Sequence, residues 1–450
     1  MKKFLRLHSL RAAFILAGSA CVLSAQRAPT AQKVGGIQAE STTSAYKFYF
    51  GDGKTPDGYT RVAADMTYND TRGYGFEPGP AIHFVSKPAA DGTPVTVATS
   101  AKQFYFSTAL PEGNYKVTVT LGNPAVATNV SVKAELRRLM LENIQTKPGE
   151  YVTKTFIVNT RRPEYPGGVV SLKAPRESQQ EAWDWDNGLT LEFNGENPSI
   201  SNLQIEKVDV PTVFIVGDST SCDQMVEPFN SWGQSITRFF KPDIAVANHG
   251  ESGETLPDSL GRHRFDKVWS LMKPGDFLLV QFGHNDMKSE NTDTFSADLQ
   301  KVLDGTKKAG GTLILVTPMN RHTFSGNTVT NSLQGFPYAA WQFAKDNQLA
   351  CVELNGMSKQ LYEYFGPQGS EVLFAHTITP QPYDGTHHSD FGSYELAKCV
   401  ITGLQRADSP LAKHIVDGFS FDPAKPDKPE DFKVADSPKP GDTMDHPPGS

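Results

Sequence analysis

Cysteine is scarce in this chain, with four among 450 residues. Cys21 lies in the N-terminal apolar run, which leaves Cys222, Cys351 and Cys399. An odd set cannot pair fully within one chain, so a disulfide scaffold is excluded. No Cys/His spacing resembles a zinc site, and no metal ligands are assigned. Long runs of Lys and Arg are missing, and the formal net charge is -7. There is thus no basic footprint for nucleic acid. Long-range attraction will not gather an acidic polymer either, so an anionic substrate must be held by local contacts. After the N-terminus no stretch is long and apolar enough to span a bilayer.

What is present begins with an export pattern. Lys2, Lys3, Arg6 and Arg11 precede or flank the apolar run Ala12 to Ala25, which ends in small residues. Residues 1–25 therefore read as a signal peptide cut after Ala25, with the mature protein periplasmic or secreted. Gly18-Ser19-Ala20 before Cys21 offers lipid attachment as the alternative, disfavoured because the leucine expected before the small residues is missing three places before Cys21, where Gly18 stands. Residues 26–43 are polar, lack periodicity and read as a linker.

The remaining length is too great for one ordinary core, so two domains and a tail are expected. Residues 44–209 have a β texture. Tyr46 to Phe50, Phe104 to Phe106, Tyr115 to Thr120, Tyr151 to Val158, Val169 to Leu172, Leu189 to Phe193 and Ile200 to Val208 are short alternating runs between turn clusters. They predict a sandwich of jelly-roll or galactose-binding type. Over 210–410 the texture changes. Thr212 to Val216, Ile244 to Ala247, Phe277 to Val280, Thr312 to Val316 and Cys351 to Leu354 are continuous apolar runs, as in strands covered on both faces. Helical stretches alternate with them: Ser231 to Phe240, Arg262 to Met272, Phe295 to Lys308, Phe336 to Asn347 and Ser393 to Leu404. The alternation predicts a five-stranded parallel sheet in a three-layer α/β/α sandwich. Residues 411–450 form a tail, rich in Pro, Asp and Lys from Phe421 and expected to be extended or disordered.

Four polar segments follow the parallel strands. Gly217-Asp218-Ser219-Thr220 follows the first, where a serine projects into the cleft beyond the carboxyl ends of the strands. Asn248 to Thr255 follows the second, and a glycine in such a loop can aim its backbone N–H at an oxyanion. Gly283-His284-Asn285-Asp286 follows the third. The Asn285 amide suits a developing alkoxide because it donates without net charge; His284 reads as structural and Asp286 as a tether. Asp384-Gly385-Thr386-His387 follows the fifth strand and precedes the last helix. An Asp three residues before a His orients the imidazole as general base for a serine. His388 competes for that role, and the spacing favours His387. Each segment alone reads equally as a turn, a cap or a loop. Their joint occurrence in this order carries the inference.

The Gly-x-Ser-x-Gly elbow of ordinary α/β-hydrolases is absent around Ser219. The four segments instead resemble the blocks of SGNH (GDSL-type) hydrolases. Within that superfamily, the phrase Phe282 to Asp286 after Pro274-Gly275-Asp276 looks like the rhamnogalacturonan acetylesterases, and the β-rich segment like the sandwich that precedes the catalytic part in some bacterial members. The resemblance implies a flavodoxin-like fold and a triad of Ser219, Asp384 and His387. It implies an oxyanion hole from the Ser219 and Gly253 amides and Asn285, and an acetylated polysaccharide or oligosaccharide as substrate. The chain departs from fungal members at Glu254-Thr255, where they carry Arg-Ser. This chemistry needs no metal or organic cofactor, and a monomer suffices.

Two further candidates concern substrate. Arg321, after the fourth strand, either binds a uronate carboxylate or is a solvated loop residue. Trp185, in the cluster Trp183-Asp184-Trp185-Asp186, either stacks on a sugar or fills the sandwich or the domain junction, and burial is the commoner fate of tryptophan. The same cluster has carboxylates for hydroxyls or calcium. An acetyl-xylan esterase, a lipase or thioesterase, and a vestigial carbohydrate-binding protein are the competing functions. The polar loops disfavour lipid substrates, and the complete residue set disfavours the vestigial protein.

Overall fold

The computed structural model describes residues 45–88, 94–375 and 384–437. The export signal, Cys21 and the linker lie outside the described residues, as do residues 438–450 of the tail.

The N-terminal part is two sheets face to face, antiparallel except where Tyr46–Phe50 pairs with Thr60–Val62 in parallel. One runs Val152–Thr160, Gly113–Leu121, Ser199–Lys207, Tyr46–Phe50 and Thr60–Val62, with Pro94–Thr99 and His83–Pro88 added beside Ser199–Lys207. The other runs Tyr74–Phe76, Phe104–Ala109, Gly188–Glu196, Thr128–Ala134 and Arg138–Thr146. Period-two alternation builds the core: Tyr115, Val117, Val119 and Leu121 of one sheet meet Phe104, Phe106, Leu191 and Phe193 of the other. The Phe48 and Phe50 rings each stand edge-on to Phe106, at 5.1 Å.

Two strands of the second sheet, Thr128–Ala134 and Arg138–Thr146, have no counterpart in the sequence reading. Their alternate residues are polar, yet Ser131, Lys133 and Arg138 are buried, as is Arg137 in the turn between the two strands. The reason is that the outer face of this sheet is covered. Arg137 pairs with Glu227 at 2.5 Å and Asp390 at 2.8 Å, and Arg138 with Asp223 at 3.1 Å. These acids belong to the α/β part, so the two parts meet through buried ion pairs. The expected strand Val169 to Leu172 is only a two-residue ladder at Gly168–Val169, after which Ser171 exchanges hydrogen bonds with Arg262.

The α/β part has one parallel sheet, in the order Ala245–Asn248, Thr212–Gly217, Phe277–Gln281, Thr312–Val316 and Ala350–Val352. Alternate residues feed two cores. Phe214, Val216, Leu278 and Val280 pack with helices Arg264–Leu271, Thr292–Ala309 and Phe336–Asp346. Val213, Ile215, Leu279 and Ile314 pack with helices Leu354–Gly369 and Asp390–Arg406. This is the expected three-layer sandwich. The helix Leu256–Gly261 is not foreseen, and the fifth strand stops at Val352, after which Leu354 opens another helix not foreseen. That helix therefore stands between the fifth strand and Asp384.

The tail is extended but bound. Phe421 and Phe432 pack on the α/β core. Lys133 donates to Ala435 O at 2.9 Å, and Ser437 Oγ donates to Glu192 at 2.8 Å. The tail thus straps the α/β part to the second β sheet. Cys222, Cys351 and Cys399 are all free thiols. No helix of the described residues is long and apolar enough to cross a membrane.

Candidate active site

The first strand delivers Ser219 to the carboxyl edge of the sheet. A side chain at Gly217 would lie 2.5 Å from Gln281 O, so only glycine lets the strand turn there. Asp218 closes the turn by accepting from Thr220 N at 3.0 Å and Thr220 Oγ1 at 2.7 Å. Gln281 fixes it to the third strand: its Nε2 donates to Thr220 Oγ1 at 2.5 Å, and its Oε1 accepts from Trp232 Nε1 at 2.7 Å. Gln224 Nε2 donates to Ser219 O at 2.5 Å.

Ser219 Oγ lies 2.8 Å from His387 Nε2, and His387 Nδ1 lies 2.8 Å from Asp384 Oδ2. Asp384 Oδ1 accepts from the Thr386 and His387 amides at 2.9 and 3.0 Å. Burial alone would raise the Asp384 carboxyl. The His387 imidazole and these amides outweigh it and hold the pKa down to about 2. Asp384 is therefore a fixed anion that keeps the Nδ1 proton on His387 and leaves Nε2 to accept from the serine. His322 N donates to Gly385 O at 2.7 Å and pins this loop to the fourth-strand loop.

His388 points away. Its Nε2 meets Tyr362 Oη at 2.7 Å, and its ring lies 4.6 Å from Phe374. Burial, followed by the charge of His387, lowers its pKa to about 3. Geometry therefore gives the position beside Ser219 to His387.

Gly253 and Asn285 stand on the two adjoining loops. Gly253 has a φ of +71°, in the left-handed region that favours glycine. Its loop is tied to the Ser219 turn by Glu251 N, which donates to Gly217 O at 3.0 Å. Asn285 Nδ2 donates to Glu254 O at 3.1 Å, which orients the amide and leaves its second proton for an incoming oxygen. Asp286 tethers the loop as expected, accepting from Leu256 N at 2.7 Å and Gly283 N at 2.8 Å. Burial pushes its pKa up to about 7. His284 is structural: Arg321 donates to its Nδ1 at 3.4 Å and its carbonyl at 3.0 Å, and burial holds the imidazole well below its usual range. Arg321 thus braces this loop at the edge of the site.

Trp185 does not serve as a sugar platform. It is buried, with the Arg161 guanidinium 4.6 Å and the Arg264 guanidinium 5.9 Å from its ring, and His249 edge-on at 5.7 Å. The cations need its π face, so it fills the junction between the two parts. Asp184 is likewise committed, to Arg161 at 2.8 Å.

Residues the sequence reading missed are Gln224, Gln281, Lys173 and Arg176. Lys173 Nζ donates to Ser252 O at 2.5 Å and Arg176 Nη2 to Ser252 Oγ at 2.8 Å, just before Gly253. Gln281 gave one signal, a polar residue closing an apolar strand; nothing local marks the others. Among the described residues, Glu227, Asp390 and Asp436 are close enough for a cation. Arg137 already sits on two of them, so their charge is compensated.

Residues 213–400 match the family model GDSL-like Lipase/Acylhydrolase. Residues 46–156 match the model Beta-agarase/YXIM esterase-like, galactose-binding domain-like. The chain is similar to "Rhamnogalacturonan acetylesterase RhgT" of Bacillus subtilis (strain 168), 32% identical over 217 residues, which cover 45% of this chain and 94% of that protein. It is also similar to "Uncharacterized esterase YxiM" of the same strain, 26% identical over 394 residues, covering 83% of this chain and 94% of that one. A crystal structure of the Bacillus subtilis YxiM protein aligns over 81% of this chain and 99% of that chain, with a TM-score of 0.44 and 23% identity.

Proposed function

This chain belongs to the GDSL-like lipase/acylhydrolase family and hydrolyses ester bonds, and from that premise we propose that it is a serine esterase that removes acetyl groups from plant cell-wall polysaccharide, above all rhamnogalacturonan. The observation that carries the mechanism is the line Ser219–His387–Asp384, with both contacts at 2.8 Å. The relative named a rhamnogalacturonan acetylesterase supports the substrate.

Ser219 Oγ attacks the acetyl carbonyl carbon and passes its proton to His387 Nε2. The carbonyl oxygen becomes an oxyanion, held by the Ser219 and Gly253 amides and by Asn285 Nδ2. Asp384 stabilises the imidazolium. Collapse breaks the bond to the sugar oxygen, which takes the proton from His387 and leaves as an alcohol. Water then attacks the acetyl-serine while His387 accepts its proton. Acetate departs and the proton returns to Ser219. In this reading a uronate carboxylate beside the acetyl group pairs with Arg321, whose guanidinium also braces His284.

We also read the chain as exported, on the strength of Lys2 to Ala25; Edman sequencing of the mature protein is expected to begin after Ala25. The substrate reading is tested by acetate release from acetylated rhamnogalacturonan and acetylated xylan side by side. Faster release from rhamnogalacturonan is expected; equal or faster release from xylan overturns the assignment.

A further inference from the structure

A second cleft, of about 510 Å³, lies against the covered face of the second β sheet. Ser219, Asp384 and His387 are not among its lining residues. Its size is that of a small-molecule site. Two aromatic rings form one wall: Trp183, which is half-buried, lies 5.3 Å from Tyr105 and tilted by 46°. Met225 and the amides of Gln179 and Gln180 are also part of the lining. A pyranose ring has an apolar C–H face and a rim of hydroxyls. Aromatic rings suit the former, and amides, which both donate and accept, suit the latter.

Two further observations mark the cleft as built. Glu135 and Arg137, both lining it, hold φ values of +53° and +65°. Neither is glycine, and such strain persists only where surrounding contacts over-determine it. Arg137 is so fixed, donating to Gln224 O at 3.3 Å and to Phe229 O at 2.6 Å. The cleft is also joined to the reacting centre. Met225 follows Gln224, whose side chain donates to Ser219 O at 2.5 Å. Gln179 and Gln180 lie in the same helical turn as Arg176, which donates to Ser252 Oγ beside Gly253. The cleft residues are thus neighbours in sequence of Gln224 and Arg176, the two side chains that hold Ser219 O and Ser252.

We propose that the cleft bounded by Trp183, Tyr105, Gln179, Gln180 and Met225 binds a sugar segment of the same polysaccharide chain whose acetyl ester is cut at Ser219. The proposal rests on the carbohydrate-esterase reading and goes beyond it by giving the β-rich part a substrate subsite. The cleft holds sugar residues away from the acetyl group and so lowers KM for the polymer.

The test compares wild type, Trp183→Ala, and Ala182→Trp, which fills the mouth of the cleft. KM is measured for acetylated rhamnogalacturonan and for p-nitrophenyl acetate, a substrate with no sugar to fill the cleft. The ratio of the two KM values is expected to rise about tenfold in both variants, with polymer kcat held within about twofold. In parallel, a chemically deacetylated rhamnogalacturonan oligosaccharide is titrated against Ser219→Ala with and without Trp183→Ala, following tryptophan fluorescence. Saturable quenching that vanishes with Trp183→Ala is expected. An unchanged KM ratio in both variants, with wild type active on the polymer, overturns the subsite and leaves the esterase reading intact. Wild type that turns over p-nitrophenyl acetate but releases no acetate from the polymer overturns the substrate reading instead. Absence of binding by Ser219→Ala alone also overturns the subsite.

Discussion

Arg176 of the β-rich part donates to Ser252 Oγ at 2.8 Å, one residue before Gly253. The same guanidinium pairs with Glu181 at 2.5 Å and lies 3.4 Å from Glu251 and from Gln224 Oε1. It therefore touches both the oxyanion loop and the glutamine that holds Ser219. The β-rich part thus touches the loops that carry Ser219 and Gly253. Arg176→Ala is expected to lower kcat on p-nitrophenyl acetate by about tenfold, less than the ~10²–10³ lost with an oxyanion donor, since the donor is displaced and not deleted. It also leaves Glu181 and Glu251 buried without their cation, which costs about 3–5 kcal/mol. Stopped assays and urea unfolding read the two effects separately. Unchanged kcat would show that the loop holds its geometry without this contact.

Asn285→Ala removes the proposed side-chain oxyanion donor and also its bond to Glu254 O. A fall of about 10²–10³ in kcat is expected with little change in KM, because the interaction strengthens only as the carbonyl oxygen gains charge. Steady-state kinetics on an aryl acetate measure it; a change confined to KM would place Asn285 in ground-state binding.

His388 predicts a pH effect on stability. Its pKa is lowered to about 3 in the fold, against an ordinary 6.5. Between those values the unfolded chain binds a proton that the folded protein refuses, so stability falls as pH falls from about 6.5 towards 3. Each such proton contributes a slope of about 1.4 kcal/mol per pH unit. His388→Gln is expected to flatten the stability–pH curve by that amount between pH 4 and 6. Urea unfolding at several pH values measures the slope, and an unchanged slope would mean that His388 takes up its proton in the native state.

Trp183 and Trp185 stand two residues apart and have opposite consequences. Trp185→Ala is expected to destabilise by about 3–5 kcal/mol, the cost of emptying a buried aromatic site, and to strip Arg161 and Arg264 of its ring face. Trp183→Ala acts on polymer KM instead. Thermal unfolding of the two variants side by side distinguishes them; equal loss of stability would contradict the division.

What the sequence disclosed follows from how local the cause was. The parallel strands are legible because burial on both faces demands unbroken apolar runs such as Thr212 to Val216. Ser219, Asp384 and His387 are legible because each lies in a short segment at a strand end or loop with its own spacing. The strands around Lys133 and Arg138 are not, because their polar residues are balanced by partners far along the chain. The mate of Arg137, Asp390, is 253 positions away. The helix Leu354–Gly369 is masked by Gly356, Gly366 and Pro367, although Leu354, Met357, Leu361 and Tyr362 keep helical spacing on its buried side. The tail reads as solvated from composition, yet Lys133 and Glu192 on the second sheet bind it at Ala435 and Ser437.

The most direct measurement is trapping of the nucleophile. A sulfonyl fluoride is incubated with wild type, Ser219→Ala and His387→Ala, and the site of modification is read by peptide mass spectrometry. A single adduct on Ser219 in wild type is predicted, with none at that position in Ser219→Ala and at most slow labelling in His387→Ala, accompanied by loss of aryl acetate turnover in all three samples. An adduct on another residue with Ser219 unmodified, or full turnover by Ser219→Ala, would contradict a mechanism that begins at this hydroxyl.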